Sequence, residues 1–201
     1  GKVIDSIPRN LFSFTIRYLS NSLANGTNAV KWGISASSKC LFCAENQTLQ
    51  HVVSTCKASL NGGRWNWRHD SILINIARML SKIEELKVYC DIGESEFQTP
   101  SVITGDAERP DIVVLKGNSL FLMELTVGFE TNISKNSERK RKKYEDLVRR
   151  LENNYSVKYY DISMGAIGVI GAESKEIQKS FEDLGLSKDE SSYLIRKMIN
   201  V

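Results

Sequence analysis

The chain has 201 residues, 41% hydrophobic and 25% charged, with a formal net charge of +3. That size and balance suit one domain of moderate size or two small ones, and exclude a disordered chain. No run approaches the ~18 to 20 apolar residues of a membrane helix, and the amino terminus lacks the basic-then-apolar pattern of a secretory signal, so a soluble, intracellular protein with no membrane partner is expected. The start at Gly1 rather than Met predicts a piece of a longer polypeptide. The mild net charge hides an uneven distribution: between Lys135 and Arg150 eight basic residues stand against three acidic ones, five of them consecutive at Arg139-Lys140-Arg141-Lys142-Lys143. Such a block suits a polyanion or a solvated helix face.

In chain order, a helix is expected from about Pro8 to Leu23, capped by Ser6, with Leu11, Phe14 and Tyr18 on one face. A cysteine frame follows: Cys40-Leu-Phe-Cys43, then His51, then Cys56, or C-x2-C-x7-H-x4-C. Zinc takes four ligands tetrahedrally; the C-x2-C turn aims two thiolates at one ion, and a His and a Cys close by complete the shell. The fourth cysteine, Cys90, is left over, which disfavours disulfides. Four protein ligands leave no open position, so one structural zinc is expected, serving either as a nucleic-acid-touching knuckle or as a purely structural clip.

Trp65-Asn66-Trp67-Arg68-His69-Asp70 leads into a second helix, with Asp70 as its cap and Ile72, Leu73, Ile76, Met79, Leu80 and Ile83 as its apolar stripe. Trp65 and Trp67 suit base stacking or packing beneath the zinc module. From Asp91 to Glu108 the composition predicts loop, with a short strand at Ser101 to Thr104. A hairpin follows, then a basic helix from about Ser134 to Asn153, strands near Val157 to Ile162 and Gly165 to Ile170, and two closing helices. The last helix opens with Ser187-Lys188-Asp189-Glu190, a capping box. Strands interleaved with helices make the carboxy-terminal part α/β.

In the hairpin Pro110 to Thr126, two acids border almost wholly apolar segments. With Gly117-Asn118 as the two-residue turn, Lys116 faces Ser119, and the register runs outward until Asp111 faces Glu124. Opposed Cβ atoms lie roughly 4.5 to 5.5 Å apart. Two like charges at that distance need neutralising, which a divalent cation does well; solvated strand ends are the plainer reading. Against the latter, Ile112 to Leu115 and the partner strand look buried on both faces.

These residues are similar to the PD-(D/E)xK nuclease signature: Pro110-Asp111, then Glu124-Leu125-Thr126 thirteen residues on, with Thr126 where that signature has a lysine. The variant most closely resembled is the restriction-like endonuclease of non-LTR (LINE-type) retrotransposons. There a C-C-H-C knuckle precedes the nuclease, the first motif reads Arg/Lys-Pro-Asp, and the lysine is moved onto the following helix beside a tyrosine. Arg109-Pro110-Asp111, Glu124-Leu125-Thr126-Val127 and Lys140-Arg141-Lys142-Lys143-Tyr144 match, and Arg68-His69-Asp70 resembles a motif between knuckle and nuclease.

The resemblance implies an α/β fold with a PD-(D/E)xK core, a mixed sheet flanked by helices. Residues 1–90 would form a helical linker with the knuckle at about 40–56, and 91–201 the nuclease domain. It also implies a nuclear DNA endonuclease that nicks a target duplex to prime reverse transcription. Asp111 and Glu124 would hold Mg²⁺ or Mn²⁺, with Asp106, Glu108 and Glu130 near enough in sequence to contribute. Its partners would be DNA, the element's RNA, and a reverse transcriptase domain upstream in the same chain. At about 100° per residue, Tyr144, Leu147, Val148 and Leu151 define the inward face of the basic helix; Lys140 lies about 30° from its centre, Lys143 about 90°, and Lys142 nearly opposite. Lys140 is therefore the expected substitute for the missing lysine, with Lys143 second. Arg139, Arg141 and Lys142 face outward toward phosphates, joined by Arg68 and His69. Competing readings are an inactive zinc-containing nucleic-acid-binding module, a nuclease of repair or recombination, and an interaction domain without nucleic acid.

Overall fold

A computed structural model of the chain describes residues 9–93, 97–105, 108–165, 174–199 and 201. The chain falls into two compact units, 1–65 and 66–201. The boundary suggested by sequence lay at residue 90, but the helix before it supplies Ile72, Leu73, Ile76, Ala77 and Leu80 to the core of the second unit.

The first unit opens with α1 (Arg9–Leu19), which stops short of the expected Leu23 because Asn21 turns to φ 50°. A left-handed residue just past the last turn ends a helix. Ser6 and Pro8 lie outside the described residues. Helix α2 (Gly26–Lys31) is capped by Asn25, whose side chain accepts the Asn28 N–H at 3.0 Å. Its start is tied to the cysteine module by Gln47: the Gly26 N–H donates to Oε1 at 2.7 Å and the Thr27 hydroxyl to the carbonyl at 2.9 Å. Position 26 needs glycine, since a Cβ there would lie 2.7 Å from the Ser38 carbonyl oxygen. One π-type turn, His51–Thr55, and the short helix α3 (Lys57–Asn61) complete the unit.

The second unit is a three-layer α/β fold. Its elements are α4 (Arg64–Leu80), β1 (Leu86–Cys90), α5 (Ser101–Thr104), β2 (Ile112–Lys116), β3 (Ser119–Gly128), α6 (Ile133–Leu151), β4 (Ser156–Gly165), α7 (Ser174–Leu184) and α8 (Lys188–Ile199). The sheet order is β1-β2-β3-β4, antiparallel for the first two pairs and parallel between β3 and β4, which α6 connects. A parallel neighbour requires such a crossover. Alternation sorts the strands onto two faces. Ile112, Val114, Phe121, Met123 and Leu125 pack in one core with α4, α7 and α8; Val113, Leu120 and Leu122 pack in the other against Tyr144, Leu147 and Leu151 of α6. Glu124 and Thr126 therefore fall on the α6 face. The mixed sheet with flanking helices and the predicted hairpin, with Lys116 opposite Ser119, are both present.

Four expectations change. Helix α4 begins at Arg64, right after Gly63 at φ 71°, so Asp70 sits inside it and caps nothing. Strand β1 was not anticipated; it adds an edge to β2. Residues 101–104 form one helical turn rather than a strand, closed by Gly105 at φ 80° donating to the Ser101 carbonyl at 2.7 Å, which turns Ile103 toward the α6 core. Strand β4 runs unbroken to Gly165, and the rest of the second expected strand lies outside the described residues. The capping box forms: the Glu190 N–H donates to Ser187 Oγ at 3.3 Å and the Ser187 N–H to Glu190 Oε2 at 2.9 Å. Among the described residues no helix is long and apolar enough to cross a membrane.

Candidate active site and metal centre

In the first unit, Cys40, Cys43, His51 and Cys56 converge, with ligand atoms all within 4.8 Å of one another. A tight turn with Ala44 at φ 58° folds the C-x2-C segment back, the Ala44 N–H donating to the Cys40 carbonyl at 3.0 Å. The π-type turn then brings His51 Nε2 to 3.3 Å from Cys43 Sγ, and Cys56 Sγ lies 4.0 Å from the same sulfur. The Cys56 thiol sits at the amino end of α3, where the Ser59 and Ala58 amides hold its pKa down to about 6. Cys43 is raised: the Glu45 amide favours its thiolate, but burial and the flanking Cys40 and Cys56 sulfurs outweigh it. Crowded thiolates beside one imidazole are the condition a bound dication relieves, and three sulfurs with one nitrogen fit tetrahedral zinc. This group can hold a metal ion, consistent with structural zinc.

In the second unit, the hairpin and α6 bring Asp111, Glu124 and Lys140 together. The Asp111 N–H donates to Glu124 Oε1 at 2.9 Å, and Asp111 Oδ2 accepts the Leu125 N–H at 2.7 Å. The Lys140 ammonium donates to Asp111 Oδ2 and the Leu125 carbonyl, both at 2.7 Å, and lies 2.9 Å from Glu124 Oε2. Its three protons thus meet three hard oxygens. Glu124 is 1% exposed and Asp111 14%. A fourth group joins them: His69 Nε2 lies 3.3 Å from Asp111 Oδ2, while its Nδ1 lies 3.2 Å from Asp70. The sequence suggests a nucleic-acid contact for His69, and no local spacing reveals its approach to an acid 42 residues away.

The other named residues spread around this cluster. Lys143 stands over the Tyr144 ring at 4.5 Å and donates to its hydroxyl, which itself donates to the Arg109 carbonyl at 2.6 Å; that bond ties α6 to the chain just before buried Pro110. Thr126 is buried. Arg139, Arg141 and Lys142 are exposed, but Lys142 pairs with Glu138 and Arg141 with Asp161, while Arg68 is half-buried. Trp67 is 61% exposed and Trp65 half-buried. Glu108 pairs with Arg150 rather than with the cluster. Asp106 and the Glu130 side chain lie outside the described residues.

Electrostatics push the two acids apart. Burial and the Asp111 charge raise Glu124 to about 7, while Asp111, against the cost of burial, is held well below its usual value by His69 and Lys140. A group raised in the folded state costs stability as pH passes from its unfolded to its folded pKa, so the Glu124 contribution is lost between 4.5 and about 7. Although burial opposes it, the Asp111 contact also raises His69, whose contribution likewise disappears as pH climbs through its folded pKa. The window for Asp111 lies lower, below 3.8, and has the opposite sign. Without metal, the melting temperature should fall as pH rises from 4.5 to about 7, and Glu124→Gln should flatten the slope, as a melting series in EDTA would register.

No protein-family model matches the chain, and no curated protein matches it.

Proposed function

We propose that the chain is a metal-dependent DNA endonuclease with a PD-(D/E)xK core, acting in the nucleus to nick a target duplex and prime reverse transcription in a non-LTR retrotransposon. The observation that carries this reading is the trio of oxygens from Asp111, Glu124 and Leu125 gathered about one ammonium. Buried acids opposed across a hairpin are unfavourable alone, and hard oxygens in this number suit Mg²⁺ or Mn²⁺. When bound, such an ion would activate water and polarise the scissile phosphodiester.

The chain's own residues would do the rest. Asp111 and Glu124 would hold the ion, with the Leu125 carbonyl a third donor, and Lys140, released from part of its present contacts, would face charge developing on the phosphate. His69, bonded to Asp111 on one side and Asp70 on the other, would keep the Asp111 carboxylate oriented. Tyr144 would anchor α6, and so the origin of Lys140, to the Arg109 backbone. Exposed Arg139 and Lys142 would meet the duplex backbone, a sequence-blind contact.

The test is conversion of supercoiled plasmid to nicked circle with Mg²⁺ or Mn²⁺. Lys140→Ala should slow nicking by roughly 10²- to 10³-fold, the usual cost of one stabilising donor; Lys143→Ala should slow it by less than tenfold. Equal effects of the two would sink the assignment to Lys140. One observation favours a second reading: Lys140 has all three protons satisfied, as in a closed structural ion cluster, and Thr126 occupies the usual lysine position. In that case the wild type shifts DNA in a gel without nicking it, and the chain is a zinc-containing nucleic-acid-binding module.

A further inference from the structure

Every proton of the Lys140 ammonium is engaged by an oxygen that a divalent ion would need. Its Nζ lies 2.7 Å from Asp111 Oδ2, 2.7 Å from the Leu125 carbonyl oxygen and 2.9 Å from Glu124 Oε2, and an ammonium has three donors. A Mg²⁺ ion at the same point takes oxygens at about 2.0 to 2.1 Å, so each would move in by less than about 1 Å. One point in space therefore suits either cation, and the two cannot share it.

The oxygens do not depend on Lys140 for their positions. Asp111 Oδ2 also accepts the Leu125 N–H at 2.7 Å and lies 3.3 Å from His69 Nε2. Glu124 is held through its other oxygen, Oε1, by the Asp111 N–H at 2.9 Å. The third oxygen belongs to the backbone of β3. The set thus stays in place when the ammonium departs. Lys140 is the movable partner: its side chain is 22% exposed, and its head group sits on a flexible four-carbon stem. Its origin on α6 stays fixed meanwhile through the Tyr144 bond to the Arg109 carbonyl. With all three protons engaged, the ammonium has none for a phosphate. It can face a scissile phosphate only after it has left these oxygens, and an arriving phosphate is the anion that replaces them.

We propose that Lys140 is a built-in counter-ion that occupies the metal position in the substrate-free chain and gives it up when a phosphate of the bound strand draws the ammonium away. The exchange of ammonium for metal stands on the distances above; the identity of the phosphate as DNA rests on the nuclease reading. Metal and duplex then favour each other's binding by the same factor. A ligand's apparent affinity falls by the fraction of molecules whose site is open, so an ammonium in place nine-tenths of the time weakens the ion about tenfold. The chain would load its ion where there is a phosphate to cut and carry little of it elsewhere.

The test measures Mn²⁺ binding to the whole chain at neutral pH by electron paramagnetic resonance, with Asp111→Asn identifying the signal of this site. Lys140→Gln keeps a donor toward the oxygens and removes the charge; without nucleic acid it should bind Mn²⁺ at least tenfold more tightly than the wild type, whereas Lys143→Gln should not differ. Should Lys140→Gln fail to fold without metal, Lys140→Met, which keeps most of the stem, takes its place, and Mn²⁺ should raise its melting temperature more than that of the wild type. A short phosphorothioate duplex, which resists hydrolysis, should tighten Mn²⁺ at least tenfold in the wild type and less than threefold in Lys140→Gln. Equal or weaker Mn²⁺ binding by the Lys140 variants would overturn the counter-ion, even if the wild type nicks plasmid. Tighter binding by the variants with no effect of the duplex on the wild type would overturn the gate. A wild type that shows both effects yet never nicks plasmid keeps the gate and removes the nuclease.

Discussion

Asp111→Asn should reduce metal-dependent nicking to background while leaving the chain folded. Asp111 is the hub of the cluster: one of its oxygens accepts from Leu125 N–H and Lys140 and lies within reach of His69, and its own N–H holds Glu124. Asparagine keeps an acceptor for the Leu125 N–H, so the hairpin end stays paired. Alanine would leave that buried amide unmet at a cost of about 1 to 3 kcal/mol, confusing loss of chemistry with loss of fold. What asparagine removes is charge. A carboxylate that holds a divalent ion underwrites several kcal/mol of transition-state stabilisation, so the expected fall is on the order of 10³-fold. DNA affinity should hold or rise slightly, since a negative charge has gone. The assay pairs plasmid nicking with a thermal melt: a folded variant that nicks at the wild-type rate would show that the acids are structural.

How much of this site was legible follows from the range over which each relation acts. The hairpin register is local, set by Gly117 at φ 57° and by alternation, so the meeting of Asp111 with Glu124 could be read from spacing alone. The side on which Lys140 stands is also local, since the 100° step of a helix places it once Tyr144 and Leu147 define the inward face. The C-x2-C-x7-H-x4-C frame is compact for the same reason. Strand β1 was missed because Leu86-Lys-Val-Tyr-Cys90 is short and earns its structure by pairing with β2, more than twenty residues on. Residues 101–104 misled because Val102 and Ile103 favour strands, yet among the described residues they pair with no strand and close as a single turn. His69 reaches the site through helix docking, which no window of neighbouring residues encodes.

Removing metal from the first unit should unfold it and leave the second intact. Among the described residues its buried apolar side chains are only Tyr18, Cys40, Leu49 and Cys56, and two of these are candidate ligands. Phe12, Ile16, Leu19, Trp32, Ile34, Leu41 and Phe42 are all exposed. So thin a core cannot offset the ordering entropy of its chain, and small units of this kind depend on a staple. Metal binding at a four-ligand zinc site supplies an apparent ~10 to 16 kcal/mol at neutral pH, and in such a unit this is folding free energy. Chelation, or Cys56→Ser, should therefore expose 1–65 to protease and to amide exchange, while 66–201 keeps protection around Ile72, Leu73, Met123 and Phe181. The purified chain should carry one zinc. Because Cys56 must be a thiolate to bind, protons compete with the ion, and since the neighbouring amides already hold its pKa down to about 6, zinc should stay bound at neutral pH and be released on acidification below that value. Protection of 1–65 that survives chelation in a zinc-free chain would mean that the four residues are ordinary buried side chains and that the unit is held by contacts other than metal.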